Sequence, residues 1–201
     1  MNDSVFNPQK QETDLSSKIV AGLERISEAF KVLLWEKATE LGVSPIQIQI
    51  LIFIAYHKPV LCNVSHLAKE FNVSKPTISD AIRVLNKKGL IAKDVSHTDN
   101  RSYIIRLSNK GLDIVSQTEN FAHPIKKTLN QIEATNLNAL YKTLSTLIYQ
   151  LNRNGVLTVQ RTCYGCKFYE KNTNTHYCNL LEKKLLDADI RVDCPEYENR
   201  T

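Results

Sequence analysis

Four of the chain's five cysteines, Cys163, Cys166, Cys178 and Cys194, fall in the last fifth of the 201-residue sequence with the spacing C-x2-C-x11-C-x15-C. A C-x2-C pair places two thiolates on one turn so that both reach one ion, and two further cysteines complete a tetrahedral shell of four sulfurs. Zinc is the expected metal, because such unequal spacing suits a small module in which the metal replaces a core too small to hold itself. An iron-sulfur cluster is the alternative, since four thiolates also hold clusters and Cys194 is followed by Pro195. Disulfides are disfavoured in a reducing compartment. His176, two residues before Cys178, could replace one thiolate, although a place beside the ligands or on the surface is the plainer reading. A thioredoxin-like use of Cys163 and Cys166 lacks the strand-helix-strand setting it needs. The leucines of segment 179–187 predict a short helix lying over the site.

A second set of residues has nucleic-acid chemistry. Lys75, Pro76, Thr77, Ser79, Arg83 and Lys87 share one side of a predicted helix, opposite a stripe of Ile78, Ala81, Ile82 and Leu85. Small polar groups at the start of such a helix let it approach base edges, an Arg can grip guanine or phosphate, and the free N–H groups of the first turn attract phosphate oxygens. Beyond it, Asp99 and Arg101 lie at the turn of a predicted hairpin, where Arg101 is placed to enter a groove and Asp99 to orient it. His66 and His97 read as surface residues, with a phosphate contact as the other reading. Residues 63–110 hold nine Lys or Arg against four Asp or Glu, which accounts for the net charge of +5 of the whole chain. Residues 160–201 are balanced. A basic centre between neutral flanks is what a local phosphate-binding surface produces.

These residues need elements to position them. Residues 1–13 are expected to be unstructured. From Asp14 the apolar positions Ile19, Leu23, Ile26, Phe30 and Leu41 recur at helical steps up to Gly42, a C-terminal stop. Ser44, Pro45 and Gln47 signal the start of a second, largely apolar helix. Asn63 caps a short third helix and Ser74 a fourth, joined by a tight turn and closed by Gly89. Two alternating runs, 90–95 and 102–107, read as a hairpin. Ser108 opens a helix to about residue 122, Pro124 interrupts it, and a leucine-rich helix closes at Asn154 and Gly155. The fold class is therefore mainly α, an α+β winged helix with long flanking helices, which the family resemblance given below makes dimerisation elements, and a small C-terminal metal module. The domains are 14–155, with a DNA-binding core at 44–110, and a cysteine tail at 160–201.

Composition agrees: 42% hydrophobic and 23% charged residues exclude disordered and fibrous classes. The longest apolar run, 50–56, is too short for a membrane span, and residues 1–14 lack a signal-peptide core, which points to the cytoplasm.

The run VSHLAKEFNVSKPTISDAIRVLNKKGLI, followed by DNRSYIIRLSNKG, resembles the MarR family of bacterial winged-helix regulators. The likeness rests on the helix-turn-helix, on Asp99 and Arg101 in the wing, and on Leu107, Ser108 and Gly111 at its exit, and extends over about residues 14–155. It implies a homodimer held by the first and last helices, a wing Arg on duplex DNA held by the wing Asp, and a pocket for a small-molecule effector. Phe30, Trp35 and Tyr56 could wall such a pocket or simply pack in the core. The cysteine tail departs from the family pattern.

The expected function is a homodimeric, sequence-specific transcription regulator on a near-palindromic DNA operator, with a four-cysteine tail that either stabilises it or modulates DNA binding. Catalysis has little support: there is no nucleotide-binding glycine loop, no nucleophile with a partner and no paired carboxylates. The rival readings, a metal- or redox-dependent enzyme and a protein-interaction module, rest on the tail. Cys62, in an apolar setting, reads as core, with a reactive thiol as the other possibility.

Overall fold

The computed structural model describes residues 4–95, 103–172 and 175–200. Sequence reasoning expects no structure before Asp14, yet Pro8–Thr13 form helix α1. The start signal is there: Asn7 accepts a hydrogen bond from the Gln9 N–H at 3.1 Å, and Pro8 opens the first turn. Asp14 ends α1 and caps α2, Leu15–Leu41, by accepting from the N–H groups of Ser16 and Ser17. Hydrogen bonds from the Ser17 and Ser16 hydroxyls hold its carboxyl down at about 2.

Gly42, at a φ of +62°, stops α2 in the left-handed conformation, and the chain turns into α3, Pro45–Tyr56, at 93°. The expected capping box is present, with the Ser44 N–H donating to Gln47 Oε1 at 3.0 Å. Helix α3 is the centre of the core: Ile48, Ile50, Leu51 and Phe53 are buried, which is why its apolar residues run on without a polar face. Among the described residues, no single helix is both long and apolar enough to cross a membrane.

Helices α4, Val64–Glu70, and α5, Lys75–Lys87, are capped by Asn63 and Ser74. Strands β1, Ile91–Val95, and β2, Tyr103–Leu107, pair antiparallel with Ile91 opposite Leu107. Helix α6, Asn109–Thr118, begins at Ser108, whose side chain accepts from the Gly111 N–H. A Cβ added at Gly111 would lie 2.0 Å from the Leu90 carbonyl oxygen, so only glycine lets α6 sit this close to the entrance of β1. Pro124 does interrupt the helical run, but it also starts a separate short helix, α7, His123–Leu129, ahead of α8, Ala134–Arg153.

Beyond α8 the chain crosses back and forms a three-stranded antiparallel sheet: β3, Tyr169–Asn172, β4, Thr175–Cys178, and β5, Lys183–Leu185. The helix expected over 179–187 is therefore a correction. Residues 179–182 turn, with Glu182 at a φ of +49°, and β5 follows, because the leucines there come in adjacent pairs that serve a strand and a turn better than one helical stripe. A short 3-10 turn, Asp187–Asp189, leads to the last loop.

Candidate nucleic-acid interface and cysteine cluster

Helix α5 is sharply two-sided. Ile78, Ala81, Ile82 and Leu85 are buried, as their spacing predicts, and lock the helix onto the core. Lys75, Pro76, Thr77, Ser79, Arg83 and Lys87 are all exposed on the remaining surface. Sequence reasoning missed one feature of this face: Arg83 Nη2 lies 3.0 Å from Asp80 Oδ1, one turn back, with both side chains more than two-thirds exposed. So exposed a pair adds little stability but fixes where the guanidinium points. Arg106 and Asp94 pair across the hairpin at 2.9 Å, and Lys93 Nζ sits 4.6 Å above the Tyr103 ring, placing two further cations on the wing strands. Asp99, Arg101 and His97 lie outside the described residues.

Residues 41–102 match the model of the MarR family. The structure is similar to that of S. aureus MepR solved as a DNA complex, with 22% identity, a TM-score of 0.58, and coverage of 66% of this chain and 97% of that one. It is equally similar to a MarR protein from Peptoclostridium difficile, at 22% identity and a TM-score of 0.61 over 71% of this chain and 92% of that one. The fold is that of the MarR winged-helix proteins. The structure is also similar to that of CouR from Rhodococcus jostii bound to p-coumaroyl-CoA, at 16% identity and a TM-score of 0.56, covering 67% of this chain and 94% of that one. No curated protein matches the sequence.

Two expected pocket walls are found together. Phe30 and Trp35 of α2 line a cavity of about 700 Å³ with Leu23, Pro45, Gln49 and Phe121. They are not core: Trp35 is 65% exposed and Phe30 40%. Tyr56 lies elsewhere, its hydroxyl donating to the Glu119 carboxylate. Alongside the cavity runs an apolar face that is not covered by the described residues, in which Leu15, Ile19, Leu23 and Ile26 of α2 are exposed. Helix α8 likewise leaves Leu140 and Leu147 in the open.

In the tail, Cys163, Cys166, Cys178 and Cys194 all line one small cavity of about 30 Å³, roofed in part by Leu180, Leu181 and Leu185. All four thiols are free. Among the described residues no group of three or more His, Cys, Asp or Glu side chains is drawn together tightly enough to form a ready metal cage. Burial, reinforced by the neighbouring thiols, pushes the Cys163 thiol up despite a hydrogen bond from the Arg191 N–H to its Sγ at 3.2 Å. The Arg191 side chain reaches Cys194, with Nη1 at 3.8 Å from Sγ. His176 is no ligand here: its Nδ1 meets the Tyr169 hydroxyl at 2.5 Å and its Nε2 faces Asp187 at 3.2 Å. Cys62 belongs to the main apolar core and not to this cluster; it is 1% exposed, and burial raises its pKa, which suits an inert core thiol.

The residue that sequence reasoning missed altogether is Arg161. Its Nη1 and Nη2 grip Glu70, at the end of α4, at 2.7 and 2.9 Å, and its Nε meets Asp193 at 2.5 Å. The guanidinium rests 5.6 Å from the Phe53 ring centroid, and the side chain is 11% exposed. Burial works against its charge, but the hydrogen bonds it donates to Glu70 and Asp193 outweigh that and hold the pKa above the ordinary value. His57 completes the group, with Nε2 2.8 Å from Asp193 Oδ2 and its ring stacked on Phe53 at 3.8 Å. His66, expected on the surface, is a correction: its side chain is 22% exposed, and its buried Nε2 has no hydrogen-bond partner among the described residues, 3.6 Å from Glu70 Oε2. It packs there because α4 turns it toward Phe53, at 5.9 Å between ring centroids.

Proposed function

We propose that the protein is a homodimeric, sequence-specific DNA-binding regulator of transcription, acting in the cytoplasm, with zinc held by the four tail cysteines. The observation that carries the DNA reading is α5: four fully anchored apolar residues on one side and an exposed face of Lys75, Pro76, Thr77, Ser79, Arg83 and Lys87 on the other. That is the geometry a recognition helix needs, with a small polar start to enter the major groove and longer cations to reach guanine or phosphate. Similarity to the fold of a protein solved on DNA supports it. Arg101 and Asp99 supply the wing contact in this reading.

The dimer is formed by the uncovered apolar faces of α2 and α8, and it presents two recognition helices to half-sites about 34 Å apart on a near-palindromic operator. The cavity walled by Phe30 and Trp35 lies beside that interface and takes a small, largely apolar effector. Zinc is preferred to an iron-sulfur cluster because the tail buries only five side chains, two of them cysteines, and a small module of this kind suits a single structural ion in place of a core. Cys163, Cys166, Cys178 and Cys194 would hold it as thiolates, releasing their protons as the metal binds, and the Arg191 N–H groups would temper the charge of the sulfurs.

The test is binding of the full-length dimer to a duplex selected from a randomised pool, measured across a salt series. Arg83→Ala with Arg101→Ala is expected to lower affinity by about 1–3 kcal/mol for each guanidinium that reads a base edge, or to reduce the log–log salt slope by about one for each that neutralises a phosphate. Unchanged affinity together with an unchanged slope overturns the reading.

A further inference from the structure

We propose that Arg161 is a positioning residue that carries the state of the four-thiol site to the helix-turn-helix, an inference that rests on the metal-binding reading above. The chain on either side of the cluster is built for it. Segment 161–163 pairs with 191–194 in strand fashion: the Cys194 N–H donates to the Arg161 carbonyl at 3.1 Å, and the Cys163 N–H to the Arg191 carbonyl at 3.2 Å. Arg161 and Asp193 face each other in this pairing. Two of the four thiols, Cys163 and Cys194, thus sit in the same short ladder as Arg161, whose side chain is 11% exposed, and its more exposed partner Asp193.

From that ladder the Arg161 side chain leaves the tail and closes a planar two-pronged grip on Glu70. Glu70 is the last residue of α4, which packs directly against α5. Two neighbouring hydrogen bonds run in parallel, the Thr158 hydroxyl to the Lys69 carbonyl and the Asn72 side-chain amide to the Val156 carbonyl, and they hold the end of α4 and the turn that follows it. Lys58 and Glu196, at 2.8 Å, tie the last loop to the turn after α3.

The strength of the grip is unequal along this seam. Lys58 and Glu196 are each 51% exposed and contribute little. Arg161 and Glu70 are 11% and 17% exposed, so their bonds form in a poorly solvated place where geometry decides between gain and loss. If metal ligation fixes Cys163 and Cys194, the ladder holds the guanidinium at the angle Glu70 requires. Without the metal the ladder loosens, and the pair must re-form at an entropic cost before α4 and its turn are held for DNA.

The experiment uses the full-length dimer prepared without oxygen, zinc-loaded or stripped with a chelator, on the duplex selected as above. Metal content is measured alongside affinity. Wild type is expected to bind about one zinc per chain and to lose about tenfold in DNA affinity when stripped, within the usual range for coupled sites. Arg161→Ala and, separately, Glu70→Gln are expected to bind zinc as before but to show the same DNA affinity with and without it. Glu70→Gln guards against misfolding of the tail, since it lies outside that module. Arg161→Lys, which keeps the charge beside Glu70 and Asp193 but not the planar two-pronged grip, should retain only part of the zinc dependence. Retention of the full tenfold ratio in both Arg161→Ala and Glu70→Gln overturns the role of Arg161. Zinc binding by a wild type whose DNA affinity ignores it overturns the coupling and leaves the metal site standing, whereas a wild type that takes no zinc overturns the metal reading itself.

Discussion

The winged helix and the tail solve the same folding problem by opposite means. Among the described residues, the first buries a continuous cluster of eighteen apolar side chains, running from Leu34 through α3 and α5 to Val115. The tail buries five, of which two are cysteines: Cys163, Cys166, Tyr169, Leu185 and Ile190. Burial on the first scale can offset the conformational entropy of ordering a domain, while five residues over a segment of about forty cannot. The difference explains why the tail combines strands of three or four residues with convergent thiols, and why it leans on α8 and α4 instead of standing alone. Lys142 of α8 pairs with Asp187 at 2.8 Å, and the Tyr141 hydroxyl donates to the Ile190 carbonyl.

The largest test of that contrast is to remove the proposed zinc. Structural zinc in small modules supplies roughly 10–16 kcal/mol of apparent folding energy. Cys166→Ser, or chelation of the wild type, is therefore expected to open residues 160–200 to proteolysis while the main melting transition of the winged helix stays in place. Equal protease resistance with and without metal would mean that the tail's own packing suffices. The complementary test strikes the core. Gly111→Ala must push a methyl group against the Leu90 backbone oxygen, 2.0 Å away, and backbone cannot step aside as a flexible side chain can. We expect a loss of about 3 kcal/mol, lowering the main transition by about 10 °C, with zinc content unaffected. A melting point within a degree of wild type would show that α6 has freedom to withdraw from β1.

These two regions also differ in how far the sequence reveals them. In the winged helix the information is local: caps such as Asn63, Ser74 and Ser108 stand next to the stripes they start, and α5 is legible to the residue, because its buried positions repeat at helical spacing. The wing strands are equally clear from alternation, although the residues at their turn lie outside the described structure. In the tail only the cysteines carry a signal. Leu180 and Leu181 do line the cysteine cavity as expected, but as a turn, since paired leucines fit either state and no cap is there to decide. Arg161 is not legible at all. Its partner Glu70 is 91 residues away, and neither residue stands in a pattern that distinguishes a buried ion pair from two solvated charges.

The seam between the regions offers the smallest and most specific test. His66 is wedged between the Phe53 ring, Glu70 and the Arg161 guanidinium. Burial lowers its pKa from 6.5; Glu70 opposes that shift, and Arg161 and His57 add to it. A histidine whose folded-state pKa is depressed takes up its proton more readily when unfolded. Its neutral form therefore favours the folded seam above pH 6.5, and that advantage shrinks as the pH falls below 6.5 toward the lower folded value. Asp193 and Asp187 act in a different window: their folded pKa values lie below 3.8, so their contribution is intact through mild acid and fails only under stronger acid. Between about pH 7.5 and 5.5, then, a shift in melting that His66→Gln abolishes isolates the seam from the acidic pairs. The expected size is about 1–2 °C. If His66→Gln melts with the same pH slope as wild type, the histidine is solvated in the working protein and the seam is looser than its distances imply.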